Sequence, residues 1–128
     1  MSDSKNPLSP HLQIYRWHIS SLLSITHRIS GVINLLSLIL IFFWLLVLSQ
    51  GENGYGIFLI IMNSFFGKFI LAGFTWSMCF HLLSGIRHLV WDLGYGYEIK
   101  IANISGTIVI IFSLVLTIIF WLFGRGFV

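Results

Sequence analysis

Three long runs of the chain contain no charged residue, and short polar segments separate them. The runs lie between Arg28 and Glu52, between Lys68 and Arg87, and between Lys100 and Arg125. A transmembrane helix needs about 20 predominantly apolar residues. The first and third runs are long enough as they stand, and the second is long enough if its flanking Lys68 and Arg87 extend to the membrane surfaces. The pattern predicts three membrane-spanning helices, over about residues 21–48, 68–91 and 101–123.

A shorter apolar segment, residues 55–67, lies between the first two predicted spans. It follows the turn cluster Gly51–Gly54 and contains the polar pair Asn63 and Ser64. Apolar segments of about 10–14 residues more often lie at a membrane surface than cross the bilayer. We therefore expect an all-α integral membrane protein with three transmembrane helices and one short interfacial helix.

The chain begins with a polar arm, residues 1–20, which ends close to Arg16 and Trp17 and so suits a membrane–water interface. The arm lacks the early apolar core of a signal peptide, which favours a bacterial or an organelle-encoded protein. We interpret the chain as this cytoplasmic or interfacial arm followed by a transmembrane anchor, residues 21–128.

Composition agrees with a membrane protein. The chain is 57% apolar and 9% charged, whereas soluble domains are about 25% charged. The net charge of +3 is spread along the chain without a basic stripe, so we expect no nucleic-acid partner. The single cysteine, Cys79, excludes a disulfide framework within the chain.

Basic residues predict the orientation, because cytoplasmic loops carry an excess of Lys and Arg. Those on the amino-terminal side are Lys5, Arg16, Arg28, Arg87 and Lys100. Those on the opposite side are Lys68 and Arg125. We expect the amino terminus in the cytoplasm or the mitochondrial matrix, and the carboxyl terminus on the other side.

Titratable side chains inside a bilayer are costly, by at least about 2.5–3.5 kcal/mol for a charged one, and are functional candidates for that reason. Histidines at or within the ends of the first two spans are His18, His27, His81 and His88, and the third span has none. The first two spans are therefore expected to carry the chemistry, and the third to serve packing.

His81 is the deepest of these histidines. Ser84, Gly85 and His88 follow it at positions i+3, i+4 and i+7, so the four residues share one helix face. A neutral imidazole at this depth, with a glycine one turn away, suits an axial haem ligand. The alternative is a histidine that hydrogen-bonds across helices, with Gly85 allowing close packing.

Charged and hydroxyl side chains accompany the histidines at one membrane side. Arg28 and Arg87, with His27 and His88, form a layer that could neutralise haem propionates; the alternative for the arginines is contact with lipid headgroups. Ser24 lies one turn before Arg28, and a quinone carbonyl needs such a hydroxyl or cationic donor. The alternative is a helix cap beside a flanking arginine.

Asp92 continues the face of His81 and His88 and lies at a helix carboxyl end, where the helix dipole opposes a negative charge. We expect it to need a cation, with Arg28 or His88 as the candidate. The alternative is a solvated loop carboxylate.

Three segments together resemble the cytochrome b556 subunits of succinate dehydrogenase. They are Leu8–Tyr15 (LSPHLQIY), Ser24–Gly31 (SITHRISG) and His81–Gly94 (HLLSGIRHLVWDLG). The second and third resemble that family's S-x-x-H-R-x-[ST]-G and H-x-x-x-G-I-R-H-x-x-x-D-x-G signatures. Their order and their placement on three spans also agree, and the resemblance is closest to the mitochondrial and alphaproteobacterial branch.

This resemblance implies roles that spacing alone cannot give. It implies that His81 is an axial ligand of haem b, and that His27, Arg28 and His88 lie near the haem propionates. It also implies that Ser24, Arg28 and Asp92 belong to a ubiquinone site. No residue of the chain is expected to catalyse succinate oxidation itself.

The same resemblance implies a four-subunit complex in a bacterial inner membrane, or in the mitochondrial inner membrane if the protein is organelle-encoded. The implied partners are a flavoprotein, an iron–sulfur protein and a second three-helix anchor that shares the haem and the quinone site. This chain would form half of a two-subunit helical bundle and help pass electrons from succinate to quinone.

Two other functions remain open from the sequence. A quinol-oxidising cytochrome b with two haems would need more deep histidines than His81. A haem-free scaffold subunit would explain the small residues of the third span but not the histidines at the ends of the first two.

Overall fold

The computed structural model describes residues 17–126, with the backbone alone at residues 125 and 126. Four α-helices make up this part of the chain: α1 (Ile19–Ser49), α2 (Glu52–Asn63), α3 (Phe65–Asp92) and α4 (Ile99–Gly126). Most of the predicted arm lies outside the described residues, together with the segment Leu8–Tyr15 that contributed to the family resemblance.

Three of the helices are long and apolar enough to cross a membrane. α1, α3 and α4 contain 31, 28 and 28 residues. At about 1.5 Å per residue they measure roughly 42–46 Å, which exceeds the roughly 30 Å of a hydrocarbon core. The expected fold class, an all-α membrane protein with one additional short helix, is confirmed.

The short helix α2 contains 12 residues, or roughly 18 Å, and is too short to cross a bilayer. It begins directly after Gly51, whose φ of 85° is accessible mainly to glycine. The helix starts and ends earlier than the segment 55–67 expected from apolar content. The reason for the earlier end is Ser64, which caps α3 by accepting a hydrogen bond from the Gly67 amide at 3.1 Å.

Gly67 lies where α2 and α3 meet at close range. A Cβ atom at this position would lie 2.6 Å from Met62 Cα and would also meet the backbone oxygen of Ile61. Real Cβ contacts are essentially never this short. The absence of a side chain at residue 67 therefore permits the tight joint between the two helices.

The interior of the helix bundle is small. Leu23, Phe80 and Val109 form its apolar centre, one from each long helix, with Trp76 and Leu83 packed against them. The remaining fully buried side chains are mostly hydroxyls: Ser30, Ser77, Ser84 and Ser113. Small side chains allow the backbones of membrane helices to approach closely.

Helix α3 contacts each of the other three helices. The start of α1, the end of α3 and the start of α4 meet at one end of the bundle, which contains His27, His88 and Ala102. We call this the histidine end. The opposite end contains α2, the end of α1, the start of α3 and the end of α4, and we call it the α2 end.

Candidate functional site

Three imidazole rings stack at the histidine end. The rings of His27 and His81 have centroids 4.1 Å apart and planes inclined by 10°. The rings of His27 and His88 are 5.0 Å apart and inclined by 26°. Because His81 and His88 are two turns apart on α3, the ring of His27 from α1 fits between them.

His81 makes two contacts through its Nδ1 atom. This nitrogen lies 3.2 Å from the carbonyl oxygen of His27 and 3.0 Å from Oγ of Ser30. A carbonyl oxygen can only accept a hydrogen bond, so Nδ1 carries the proton and Nε2 of the neutral ring carries the free electron pair. Within residues 17–126 no hydrogen bond involves Nε2, and Nε2 is not among the buried unpaired atoms. It is therefore available to a ligand from outside the chain.

Two glycines leave room around His81. A Cβ atom on Gly31 would lie 3.3 Å from His81 Cε1, so a side chain there would press on the ring. A Cβ atom on Gly85, one turn after His81, would meet nothing within 4 Å. An open surface beside an available Nε2 suits a flat ligand such as a porphyrin.

His88 and His27 have different surroundings from His81. The Nδ1–H of His88 donates to the Ser84 carbonyl oxygen at 2.7 Å, and the ring edge contacts Trp91 with centroids 5.4 Å apart. Nδ1 of His27 and Oγ of Ser84 are buried without a hydrogen-bond partner in the described part of the chain. A buried polar atom without a partner is costly, which points to a group that this chain does not itself supply.

Arg87 is directed toward α4. Its side chain is buried, Nε donates to Ser105 Oγ at 3.0 Å, and Nη2 donates to the Ala102 carbonyl oxygen at 2.8 Å. Its guanidinium carbon also lies 4.0 Å from the Trp91 ring centroid. Sequence reasoning grouped Arg87 with Arg28 beside the propionates, whereas in the structure these contacts tie α3 to α4.

The predicted quinone-site residues lie at the same end without direct contact to the histidine stack. Ser24 is half-buried, and Arg28 and Asp92 are exposed. Among the side chains that the structure describes there is no ion pair, so Asp92 does not pair there with Arg28 or His88. These three side chains remain open toward groups outside the chain.

The sequence profile of the succinate dehydrogenase/fumarate reductase transmembrane subunits matches residues 2–120. The chain belongs to this family. It is 46% identical over 118 residues to the succinate dehydrogenase cytochrome b556 subunit of Rickettsia prowazekii, with 92% of each chain covered. It is 38% identical over 113 residues to the subunit of that name in Paracoccus denitrificans, with 88% of this chain and 87% of the relative covered.

The chain is also similar to a mitochondrial protein. The chain is 34% identical over 130 aligned residues to the mitochondrial succinate dehydrogenase cytochrome b560 subunit of Mus musculus, covering 88% of this chain and 68% of the relative. The family resemblance noted from three sequence segments is confirmed, and the protein is a multi-pass membrane subunit of this family.

In this succinate dehydrogenase/fumarate reductase membrane subunit, sequence reasoning missed two contributors to the histidine end. Ser30 contacts His81, and Trp91 accepts the Arg87 cation on its ring while its Nε1 donates to the Gly96 carbonyl oxygen at 3.2 Å. Ser30 lies one turn after His27, and that spacing was a usable signal. Serines are common in membrane helices, however, so spacing alone did not single it out.

Proposed function

We propose that this chain is the haem b-binding membrane anchor of a succinate dehydrogenase and supplies part of its ubiquinone-reduction site. The observation that carries the proposal is the state of His81, whose Nδ1 is engaged by α1 while Nε2 is free. Relatives named as cytochrome b556 and b560 subunits support it. When bound, haem b supplies one-electron redox chemistry beside the quinone.

The residues of the histidine end fit a haem. His81 Nε2 would be one axial ligand, and the open side of Gly85 leaves space for the porphyrin. The described residues contain no group of three or more His, Cys, Asp or Glu side chains that could hold a metal ion. The other ligands of an iron at His81 would come from the porphyrin and from a second chain, as the resemblance to cytochrome b556 subunits implies. A second three-helix anchor would supply the other protein ligand and complete a two-subunit bundle.

The propionate groups would lie toward His27, Arg28 and His88. His27 has a buried Nδ1 without a partner, and Arg28 is an exposed cation close by in sequence. Hydrogen bonds between charged groups are stronger than neutral ones. These side chains would orient and neutralise the propionates at the same membrane side as the quinone.

The quinone would be held by Ser24, Arg28 and Asp92. Ser24 Oγ makes no hydrogen bond within the described residues, so its hydroxyl can donate to a quinone carbonyl. Arg28 supplies a positive charge, which favours the anionic reduced forms of a quinone. Asp92 lies exposed at the end of α3, at the same end of the bundle as Ser24 and Arg28.

The soluble partners would dock at the histidine end, on the cytoplasmic or matrix side with the amino terminus. A flavoprotein would oxidise succinate, and an iron–sulfur protein would carry the electrons to the quinone. The anchor residues themselves bind and orient the quinone and keep it at the surface that those subunits reach.

The test is the optical spectrum of the purified, reduced complex. His81→Leu should abolish or alter the low-spin haem b spectrum, since it removes the imidazole whose Nδ1 is held by α1 and whose Nε2 makes no hydrogen bond within the described residues. His88→Leu is the matched control, because His88 is proposed to lie beside the propionates, and it should perturb the spectrum while leaving the iron ligand in place.

An unchanged spectrum in His81→Leu together with its loss in His88→Leu or His27→Leu would transfer the ligand role to another histidine. No haem in the wild-type complex would favour a haem-free scaffold, and two haems would favour a quinol-oxidising cytochrome.

A further inference from the structure

We propose that Ser30 is a positioning residue for His81. Its hydroxyl and the His27 carbonyl oxygen together accept the Nδ1 proton of His81, fix the plane of the ring and make Nε2 a stronger donor to a haem iron. This inference rests on the proposed function, in which His81 is an axial ligand.

The direction of each hydrogen bond follows from the geometry around Ser30. Its hydroxyl donates to the His27 carbonyl oxygen at 2.7 Å. A hydroxyl has one proton, so the lone pairs of Oγ face Nδ1 of His81 at 3.0 Å. The proton on Nδ1 therefore has two acceptors, Ser30 Oγ and the His27 carbonyl oxygen, and both belong to α1.

The Ser30 hydroxyl lies in a closed part of the molecule. Ser30 is 1% exposed, so water cannot replace it as the acceptor. Hydrogen bonds are electrostatically stronger in such a low-dielectric environment. On the α3 side, Ser77 Oγ lies 3.1 Å from the Ser30 carbonyl oxygen and 2.9 Å from Asn34 Oδ1. Ser77 lies one turn before His81 on α3. Ser30 therefore contacts α3 at two points, through its carbonyl oxygen to Ser77 and through its hydroxyl to His81.

The ring of His81 is also confined on its faces. His27 stacks on it nearly parallel, and the backbone of Gly31 lies close to its Cε1 edge. With the two acceptors at Nδ1, these contacts leave one ring orientation. Nε2 then points away from α1, where a ligand can reach it.

A carboxylate, carbonyl or other acceptor on the distal nitrogen raises the basicity of a metal-bound imidazole. A more basic imidazole stabilises the oxidised iron. Removing the Ser30 hydroxyl should therefore raise the midpoint potential of the haem and weaken its retention. Changes of this kind typically alter metal affinity about 10–100-fold. Because the His27 carbonyl oxygen remains, we expect the low end, about tenfold faster haem loss.

The experiment uses the purified four-subunit complex with Ser30→Ala, measured by redox potentiometry of the haem absorption, low-spin electron paramagnetic resonance and transfer of haem to excess apomyoglobin. Ser37→Ala is the matched control. Ser37 lies two turns further along α1, is also buried, and donates to a carbonyl three residues back at 2.7 Å, but it does not contact His81.

Ser30→Thr and Ser30→Val form a second pair, since they have nearly the same shape and differ in the hydroxyl. We expect a positive shift of the potential and faster haem loss in Ser30→Ala and Ser30→Val, with Ser30→Thr and Ser37→Ala close to wild type. This pair keeps the test valid if Ser30→Ala assembles poorly.

Equal haem potentials and equal rates of haem loss in Ser30→Thr and Ser30→Val would overturn the inference, because the shape of the side chain rather than its hydroxyl would then decide the effect. Equal behaviour of Ser30→Ala and Ser37→Ala would overturn it as well. Retention of an unchanged haem in His81→Leu would instead remove the proposed ligand role of His81. Loss of haem in His81→Leu with an unaltered Ser30→Ala would remove only the role of Ser30.

Discussion

The two ends of the helix bundle are held together in different ways. At the histidine end and toward the middle, side-chain hydrogen bonds join separate helices: Ser77 and His81 bond to α1, and Arg87 bonds to α4. At the α2 end, the hydroxyls of Ser64 and Thr75 donate to carbonyl oxygens only three or four residues away.

A mostly apolar cavity of about 1030 Å³ opens between the helices at the α2 end, beside Trp44, Lys68 and Trp121. The histidine end is therefore held by polar contacts between helices, whereas the α2 end is held, beside this cavity, by the close fit of α2 against α3 at Gly67. Polar contacts between helices fix the orientation of a side chain, as at the His81 ring. Shape is sufficient where the helices only need to pack.

The largest expected effect concerns topology, that is, the side of the membrane on which each end of the bundle lies. We expect a reporter fused in the loop near Gly94–Gly96 to be cytoplasmic and one fused after the last residue, Val128, to be outside; Val128 itself lies outside the described residues. The physical reason is α2, which at 12 residues is too short to cross. A cytoplasmic carboxyl terminus would require an even number of spans and would make α2 a true crossing.

Packing by shape at the α2 end should make Gly67 the most sensitive residue there. Gly67→Ala would place its Cβ against backbone atoms of Ile61 and Met62, which cannot rotate away. Overpacking costs about 1–3 kcal/mol and occasionally more, and we expect a loss of about 3 kcal/mol in the free energy of unfolding. The measurement is thermal unfolding of the detergent-solubilised complex.

Gly73→Ala is the matched control for this change, because it lies on the same helix and its added Cβ would meet nothing within 4 Å. Equal stability of the two variants would show that the backbone of the α2–α3 joint can shift to accept a Cβ at residue 67. The α2 end would then not be held by close packing at this joint.

At the histidine end, where polar contacts join the helices, we expect Arg87 to be the residue most sensitive to substitution. Arg87→Lys keeps the charge but cannot present the two donors that reach Ser105 and Ala102. A hydrogen bond to a charged group contributes about 1.5–3 kcal/mol, and we expect a loss near the lower value. A double-mutant cycle with Ser105→Ala measures the coupling. Strict additivity of the two changes would exclude a stabilising contact between these side chains.

Sequence reasoning succeeded where length and charge decide the structure. The three spans were predictable because a long uncharged apolar run, such as the one after Arg28, is typical of a helix that crosses a membrane. The bounds of α2 were missed because Ser64 resembles any loop serine until its cap contact with Gly67 is known. Apolar content alone therefore placed the end of the short helix four residues too late.

At the candidate site, the depth and spacing of His81 predict an axial haem ligand or a histidine that hydrogen-bonds across helices, and the ligand role stays a prediction. The role of Arg87 was not predictable in this way. A flanking arginine that reaches the membrane surface and a buried one that joins two helices have the same sequence context. Whether the arginine is buried depends on its contacts with Ser105 and Trp91. These two residues lie on either side of the loop between α3 and α4, and only the fold brings both of them to Arg87.

The smallest effect concerns Ser24, whose hydroxyl makes no hydrogen bond within the described residues. We expect Ser24→Ala to lower quinone reduction by the complex while succinate oxidation with a soluble dye stays intact. Loss of one hydrogen bond costs about 0.5–1.5 kcal/mol, which corresponds to a decrease of roughly twofold to tenfold. The measurement is the ratio of quinone reductase to dye reductase rates in the same membranes.

Thr26→Ala is the matched control for Ser24, because Thr26 Oγ1 already donates to the Leu22 carbonyl oxygen at 2.8 Å on its own helix. It should leave the ratio unchanged, since its hydroxyl is not available to a quinone. Equal loss of both rates in Ser24→Ala would indicate failed assembly. An unchanged ratio in both variants would remove Ser24 from the quinone site and leave Arg28 and Asp92 as its candidates at the histidine end.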